Sequence, residues 1–260
     1  MHSPYVIKIS RHHHRISYVS SLLSGKWLCG VCRQNIDCGY GAYTCDKCGD
    51  YAVHSRCALR KGVWDGEELK GVPEKDDITQ DAPPFDMISE GVMHHFLHDH
   101  HLRLDDNILY DENKLCQACV LPIFEGNSYS CMECEFILHE TCVKSRRRIQ
   151  HALHPHPLTL ADKSDDISEY GFFQCNACKR FCGGFVYKCP MKECEFDLDV
   201  RCASVSEPFD YQGHEHPLFL SLDPKQKPIC EARYKHDDKH FLTVSWGKEV
   251  CEKYWCEECE

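Results

Sequence analysis

Cys116-x2-Cys119-x11-Cys131-x2-Cys134-x4-His139-x2-Cys142 is a string of thiols and one imidazole at spacings suited to metal ligation. The same order stands before it as Cys29-x2-Cys32-x12-Cys45-x2-Cys48-x5-His54-x2-Cys57. It stands again after it as Cys175-x2-Cys178-x10-Cys189-x4-Cys194-x4-Asp199-x2-Cys202. The chain has 21 cysteines and 18 histidines, and the histidines decide what the cysteines are for. Disulfides need no histidine, whereas Zn²⁺ accepts thiolate and imidazole together in a tetrahedral set. The chemistry predicted is zinc binding, three times over.

Two tetrahedral ions need eight donors, and each string supplies six. The missing donors are expected to be histidines outside the strings. His98-Asp99-His100, His154-Pro155-His156 and His214-Glu215-His216 lie between or after them. Cys142-x11-His154 is repeated as Cys202-x11-His214. The first His of a block can therefore close the preceding unit, and the second can open the next. Asp199 stands where the other strings have His, and a carboxylate can also bind zinc. Cys38, Cys182, Cys230 and Cys251 have no place in the pattern and read as free thiols. His13, His14, His101 and His151 read as neighbours or alternates of the ligands.

Short elements must carry these residues. Tyr43, Tyr129 and Tyr187 precede the third Cys by two positions, and Tyr51, Phe136 and Phe196 follow the fourth. These aromatics and nearby leucines read as the small apolar core around each ion. His100-His101-Leu102-Arg103-Leu104 and His156-Pro157-Leu158-Thr159-Leu160 alternate with period two, which predicts strands with one buried face. Ile137 to Lys144 predicts a short helical turn that brings His139 and Cys142 to one face. Gly39, Gly41, Gly126, Gly183 and Gly184 predict loops between the ligand pairs.

The predicted organisation is a first unit over 10–60, an acidic, proline-containing linker over 61–93, a second unit over 94–154, a third over 155–214 and an incomplete fourth over 215–260. In the last of these, His240, Cys256 and Cys259 are the candidate ligands. Units of this size bury little apolar surface, so metal is expected to replace part of the core.

The 260 residues carry a formal charge of −11, and three Cys₃His sites would take it to about −14. Such a chain is a poor general ligand for nucleic-acid phosphates. Arg146-Arg147-Arg148 with Lys144 is a short basic cluster and reads as solvated surface. No secretory leader is expected, because Lys8, Arg11, His12, His13, His14 and Arg15 break the start. There is no run of about 18 apolar residues, so no membrane span is expected. Free thiols predict a reducing compartment, cytosol or nucleus.

The order His, Cys-x2-Cys, Tyr-x-Cys-x2-Cys-x-Phe-x-Leu-His-x2-Cys, then His-Pro-His-Pro-Leu resembles the divergent C1 (DC1) domains of plants, relatives of the protein kinase C type zinc finger. The resemblance is strongest over 98–214, good over 12–57 and partial after 216. It implies tandem, small zinc-stabilised α+β units, each with short β-strands plus a short C-terminal helix and about two Zn²⁺ per complete unit. It also implies interleaved sites. In unit two these would be Cys116, Cys119, His139 and Cys142, and then His100, Cys131, Cys134 and His154. In unit one they would be Cys29, Cys32, His54 and Cys57, and then His12, Cys45 and Cys48 closed by His94, His95 or His98. In unit three they would be Cys175, Cys178, Asp199 and Cys202, and then His156, Cys189, Cys194 and His214.

Four-ligand sites point to structural zinc and to no enzymatic activity. The function expected is a non-catalytic interaction module for protein partners, in intracellular signalling. Diacylglycerol or another lipid is the less favoured ligand, because the loops between the second and third Cys are short and lack the Gln-Gly element of binders. Trp255-Cys256-Glu257-Glu258-Cys259 has the outline of a redox Trp-Cys-x2-Cys but lacks its βαβ setting. Thiol-disulfide activity remains an alternative only because DC1 units occur beside thioredoxin-like domains. The ligand order of a RING finger is absent. A PHD finger shares the first six ligands but needs a further Cys-x2-Cys nearby, whereas the next pair after Cys57 is Cys116 and Cys119 of unit two.

Overall fold

The computed structural model describes residues 4–73, 82–108, 111–123, 126–162, 171–205, 207, 242–244 and 254–256. By its contacts the chain divides into two compact units. One is Met1–Val72 with Ala152–Pro155 and Val205–Glu260, and the other is Pro73–His151 with His156–Ser204.

The first repeat runs β1 (Val6–Ile7), β2 (Ile16–Val19), β3 (Trp27–Leu28), β4 (Asn35–Ile36), β5 (Ala42–Thr44), β6 (Ala52–His54) and α1 (Ser55–Ala58). Its sheet has the order β1-β2-β5-β6, all antiparallel, and β3 and β4 form a separate hairpin. Ile7, Ile16, Tyr43, Ala52, Val53 and Ala58 are fully buried between sheet and helix.

The second repeat is β7 (Phe85–Ser89), β8 (Val92–His95), β9 (His101–Ile108), β10 (Asp111–Leu115), β11 (Pro122–Ile123), β12 (Gly126–Cys131), β13 (Ile137–His139) and α2 (Glu140–Val143). The third is β14 (Arg148–Ile149), β15 (Leu158–Ala161), β16 (Phe173–Gln174), β17 (Phe181–Cys182), β18 (Val186–Lys188), β19 (Asp197–Asp199) and α3 (Val200–Ala203). Their sheets are β13-β12-β9-β8-β7 and β14-β15-β18-β19, so the second copy adds one edge strand to a shared plan. The predicted alternation is present: Leu158 and Leu160 are buried and Thr159 is exposed. The units are strand-rich, and each helix is a single turn of four residues. The α+β expectation therefore reduces to strands with little helix.

Each sheet begins before its His-x-His block, and β14 at Arg148 adds an edge strand to the sheet of the third copy, ahead of the boundary expected at 155. The 61–93 stretch is not simply a linker. Ser10 N–H donates to Val63 O at 2.8 Å, and Ile9 bridges Trp64. The Glu68 carboxylate accepts from the N–H groups of Tyr5 at 2.6 Å and Val6 at 2.9 Å, satisfying the edge of β1. Further on, β7 and β8 belong to the second sheet. Of the 215–260 stretch, the described part is β20 (Leu242–Val244) paired with β21 (Tyr254–Cys256).

Copies two and three pack together within one unit. Phe185 N–H donates to Ala118 O at 3.0 Å, and the Phe185 ring stacks on His95 with centroids 5.7 Å apart. Gly184, at φ +79°, permits this approach, because a Cβ there would collide with Ala118 O.

Candidate metal centres

The first Cys-x2-Cys of each repeat is held by a tight turn. Arg33, Val120 and Lys179 follow the second Cys with φ of 58°, 56° and 61°. Their N–H groups donate back to the carbonyls of Cys29, Cys116 and Cys175 at 2.8–2.9 Å. The turn brings both thiols to one side. Left-handed backbone is costly for these side chains, and for β-branched Val120 above all, so the turn needs a compensating interaction. A shared metal ion would supply it.

The donor atoms of Cys29, Cys32, His54 and Cys57 all lie within 4.8 Å of one another, as do those of Cys116, Cys119, His139 and Cys142. Strands β6 and β13 end on the histidine, and one helical turn later comes the last cysteine. His54 Nδ1 lies 3.4 Å from Cys32 Sγ and 3.9 Å from Cys57 Sγ, and Nε2 lies 3.2 Å from Asn35 O. His139 repeats this: Nδ1 is 3.4 Å from Cys119 and 3.9 Å from Cys142, and Nε2 is 3.0 Å from Pro122 O. A carbonyl only accepts, so Nε2 carries a proton and Nδ1 is the nitrogen turned to the sulfurs, where a metal ion would displace any proton it holds. That is the orientation a ligating histidine needs, with a carbonyl fixing its tautomer. Hydrogen bonds from Cys119 and Cys142 pull the Cys116 thiol down, and Cys116 and Cys119 push Cys142 up. Cys116 and then Cys119 raise His139 to about 10. Anionic sulfur is thus favoured at the centre of the group, where a cation would sit.

The second group in each repeat is assembled by strand register. In the first sheet Ser17 pairs with Thr44, which sets the chain before β2 beside Cys45. In the second Leu102 pairs with Cys131, and in the third Thr159 pairs with Lys188. This antiparallel pairing delivers a His-x-His block to the second Cys pair of its own repeat. The groups are His12, His14, Cys45 and Cys48; His98, His100, Cys131 and Cys134; and His154, His156, Cys189 and Cys194. His14 Nδ1 lies 3.3 Å from Cys48 and 3.7 Å from Cys45, and His12 Nε2 lies 3.6 Å from Cys48. His100 Nδ1 lies 3.7 Å from Cys131, and His98 Nε2 lies 3.6 Å from Cys134. His156 Nδ1 lies 3.5 Å from Cys189. Burial opposes the Cys131 thiolate, but hydrogen bonds from His98, Glu133 N–H and Cys134 lower it to about 6.

This arrangement corrects the expected interleaving between repeats. His154 does not close the second repeat, because His98 takes that place. His14, expected as a neighbour, lies in the first group, and neither His94, His95 nor His98 joins it. His94 instead faces His101 edge-on, and His95 is fully buried beside Phe96 and Phe185. The signal that identifies His14 was present in the sequence: two histidines at i and i+2 precede the first Cys of every repeat. Cys194 joins its group despite the longer loop. His214, His240 and Cys259 lie outside the described residues, as do Cys230 and Cys251. Cys256 ends β21. Cys38 donates to Gly25 O at 3.4 Å. Cys182 is buried at the place of Ile36 and Ile123 in the other hairpins.

In the third repeat Cys202 and Cys175 share a hydrogen bond that lowers Cys175 to about 6 and raises Cys202. Asp199 lies against Cys202. Its Oδ1 accepts from Arg201 N–H at 2.9 Å and from Arg201 Nε at 3.0 Å. Its Oδ2 is buried and makes no hydrogen bond. The donor set therefore fits a divalent metal such as zinc, with one carboxylate oxygen left over for it.

A family model described as "C1 domain" matches residues 10–58, 96–143 and 152–203, more than half of the chain. The Drosophila melanogaster protein named "Differentially expressed in FDCP 8 homolog" is 26% identical over 120 residues, which is 43% of this chain and 24% of that protein. The chain thus matches about a quarter of that relative's length. No solved structure matches the chain. No helix among the described residues is long and apolar enough to cross a membrane.

Proposed function

The chain belongs to the C1 domain family, and from that premise we propose that it is a zinc-stabilised, non-catalytic interaction module whose repeats bind protein partners in intracellular signalling. One observation carries this reading: the thiols and imidazoles are gathered into complete sets of four. A catalytic zinc keeps a position for water or substrate, whereas a four-donor protein set closes the coordination sphere. Metal in such sites contributes to folding, and the working surface is whatever the repeats display. The experiment is affinity capture with the zinc-loaded full chain, alongside the chain stripped by chelator and then reloaded. A defined partner should be retained by the loaded and reloaded chain and lost on stripping. Retention that ignores the metal state would contradict the proposal.

A second reading rests on the third repeat. Phe172 and Phe181 are 57% and 78% exposed, and Lys179 and Arg180 are close in sequence to Phe181. Exposed aromatics beside cations suit an anionic bilayer surface. Flotation with phosphatidylserine vesicles, with and without diacylglycerol, separates this from the protein-partner reading.

A further inference from the structure

His54 and His139 precede α1 and α2 as N-cap residues, yet neither side chain caps its helix. Both rings are committed to the sulfurs and to a backbone carbonyl. Asp199 does both jobs at once. Through Oδ1 it caps α3 and pairs with Arg201, at side-chain exposures of 4% and 28%. Only Oδ2 is left for an ion. Resting on the zinc reading above, we propose that the Cys175, Cys178, Asp199 and Cys202 site is an exchangeable metal site, which releases and reloads its divalent ion while the repeat stays folded.

Three features favour release. A carboxylate is a harder donor than imidazole and suits zinc less well among thiolates. Arg201 draws charge from this carboxylate and limits it to one free oxygen. The carbonyl contacts of His54 and His139 orient the ligating ring itself, whereas the contacts from Arg201 fall on Oδ1 and not on the oxygen left for the ion; weaker outer support costs about 10–100-fold in metal affinity. The set of three thiolates and one carboxylate also carries one negative charge more than a Cys₃His set, and Arg201 offsets it.

Two features favour survival of the empty repeat. The α3 cap and the Arg201 pair do not involve the metal. The hairpin beneath is packed by Cys182, 5% exposed, whose thiol burial pushes up to about 12, so it stays neutral. Its Sγ donates to Arg180 O at 3.6 Å.

The test uses the full zinc-loaded chain and the chromogenic chelator 4-(2-pyridylazo)resorcinol, with near-UV circular dichroism followed in parallel. One ion per chain should leave about tenfold or more faster than the others, with the dichroism unchanged, and should return on adding zinc. Asp199→His should abolish the fast fraction, and Arg201→Met, which removes the guanidinium from Oδ1 and leaves only the backbone cap there, should slow it. Cys182→Ile, matching the other repeats, should leave it intact. Release in a single phase, a fast phase that carries the dichroism with it, or a fast phase that survives Asp199→His would each overturn the proposal. A chain that holds no zinc at all would sink the zinc reading itself, a different outcome from single-phase release.

Discussion

The imidazole of His98 lies flat on the ring of Phe136, with centroids 4.0 Å apart and planes 9° from parallel. His12 lies on Tyr51 in the same way, at 3.8 Å and 11°. In both repeats the aromatic that follows the fourth cysteine is a platform for the first histidine of the block. It fixes the ring plane and so aims Nε2 at the thiol of Cys134 or Cys48. Phe136→Ala removes no donor, yet it should weaken zinc at this site by about tenfold, as loss of outer-shell support does. Phe136→Tyr, the residue of the first repeat, should be near neutral. Competition with a zinc-selective dye reads both.

Removing metal should unfold the repeats, because their cores are small and the ligands bind as thiolates only around a cation. We expect about six ions per chain from two tetrahedral sites in each of the three repeats, measured by elemental analysis, and loss of tertiary signal on chelation. Cys116→Ser should lose an ion and melt the second repeat. Thiols oxidised to disulfides in the folded chain would refute this.

His95 gives a pH dependence. Burial, and then Arg147, His98 and His94, lower it to about 4. Its Nδ1 accepts from Leu97 N–H at 3.3 Å, and Nε2 is buried without a hydrogen bond. An unfolded chain takes up this proton near pH 6.5 and the folded one only near 4. Stability from the neutral ring is therefore complete above about pH 6.5 and declines as pH falls towards 4. The effect is on the order of 2–3 kcal/mol for a buried imidazole. His95→Phe keeps the stack on Phe185 and should lose less stability than wild type between pH 7 and 5. Urea melts of both chains at the two pH values cancel the contribution of the metal ligands.

Arg11 Nη1 donates to both carboxylate oxygens of Glu207, at 2.6 and 2.7 Å, in an ion pair whose side chains are only 1% and 8% exposed. Burial lowers the Arg11 pKa, and Glu207 partly restores it. Breaking one side leaves a buried charge alone and costs about 3–5 kcal/mol, whereas replacing both with apolar residues of similar volume is often neutral. Glu207→Ala should therefore destabilise the first unit strongly, and Arg11→Met with Glu207→Leu should restore most of the loss. Chemical denaturation followed by the fluorescence of Trp27 and Trp64 reads the difference.

The sequence alone determined the repeat and its six-residue ligand strings, but it set His14 aside as a neighbour. Cys-x2-Cys and His-x2-Cys close over one turn of backbone, so their spacing already states which residues form each pair. That the first and third pairs, Cys116, Cys119, His139 and Cys142, share one site is what the family resemblance implied and what the structure brings together. The sequence also located the period-two strands and the aromatics beside the ligands. It did not decide which repeat each histidine serves. His154 stands as plausibly after Cys142 as before Cys175, because a chain of that length can reach either way. Strand pairing settled it: β9 against β12 and β2 against β5 set the chain before each first strand beside the second Cys pair, so that His100 reaches Cys131 and His14 reaches Cys45 across about 30 residues of chain. Likewise, that Asp199 caps a helix with one oxygen and leaves the other bare depends on Arg201 folding back over it. Local spacing fixes contacts that local backbone can make, and long-range register fixes the rest.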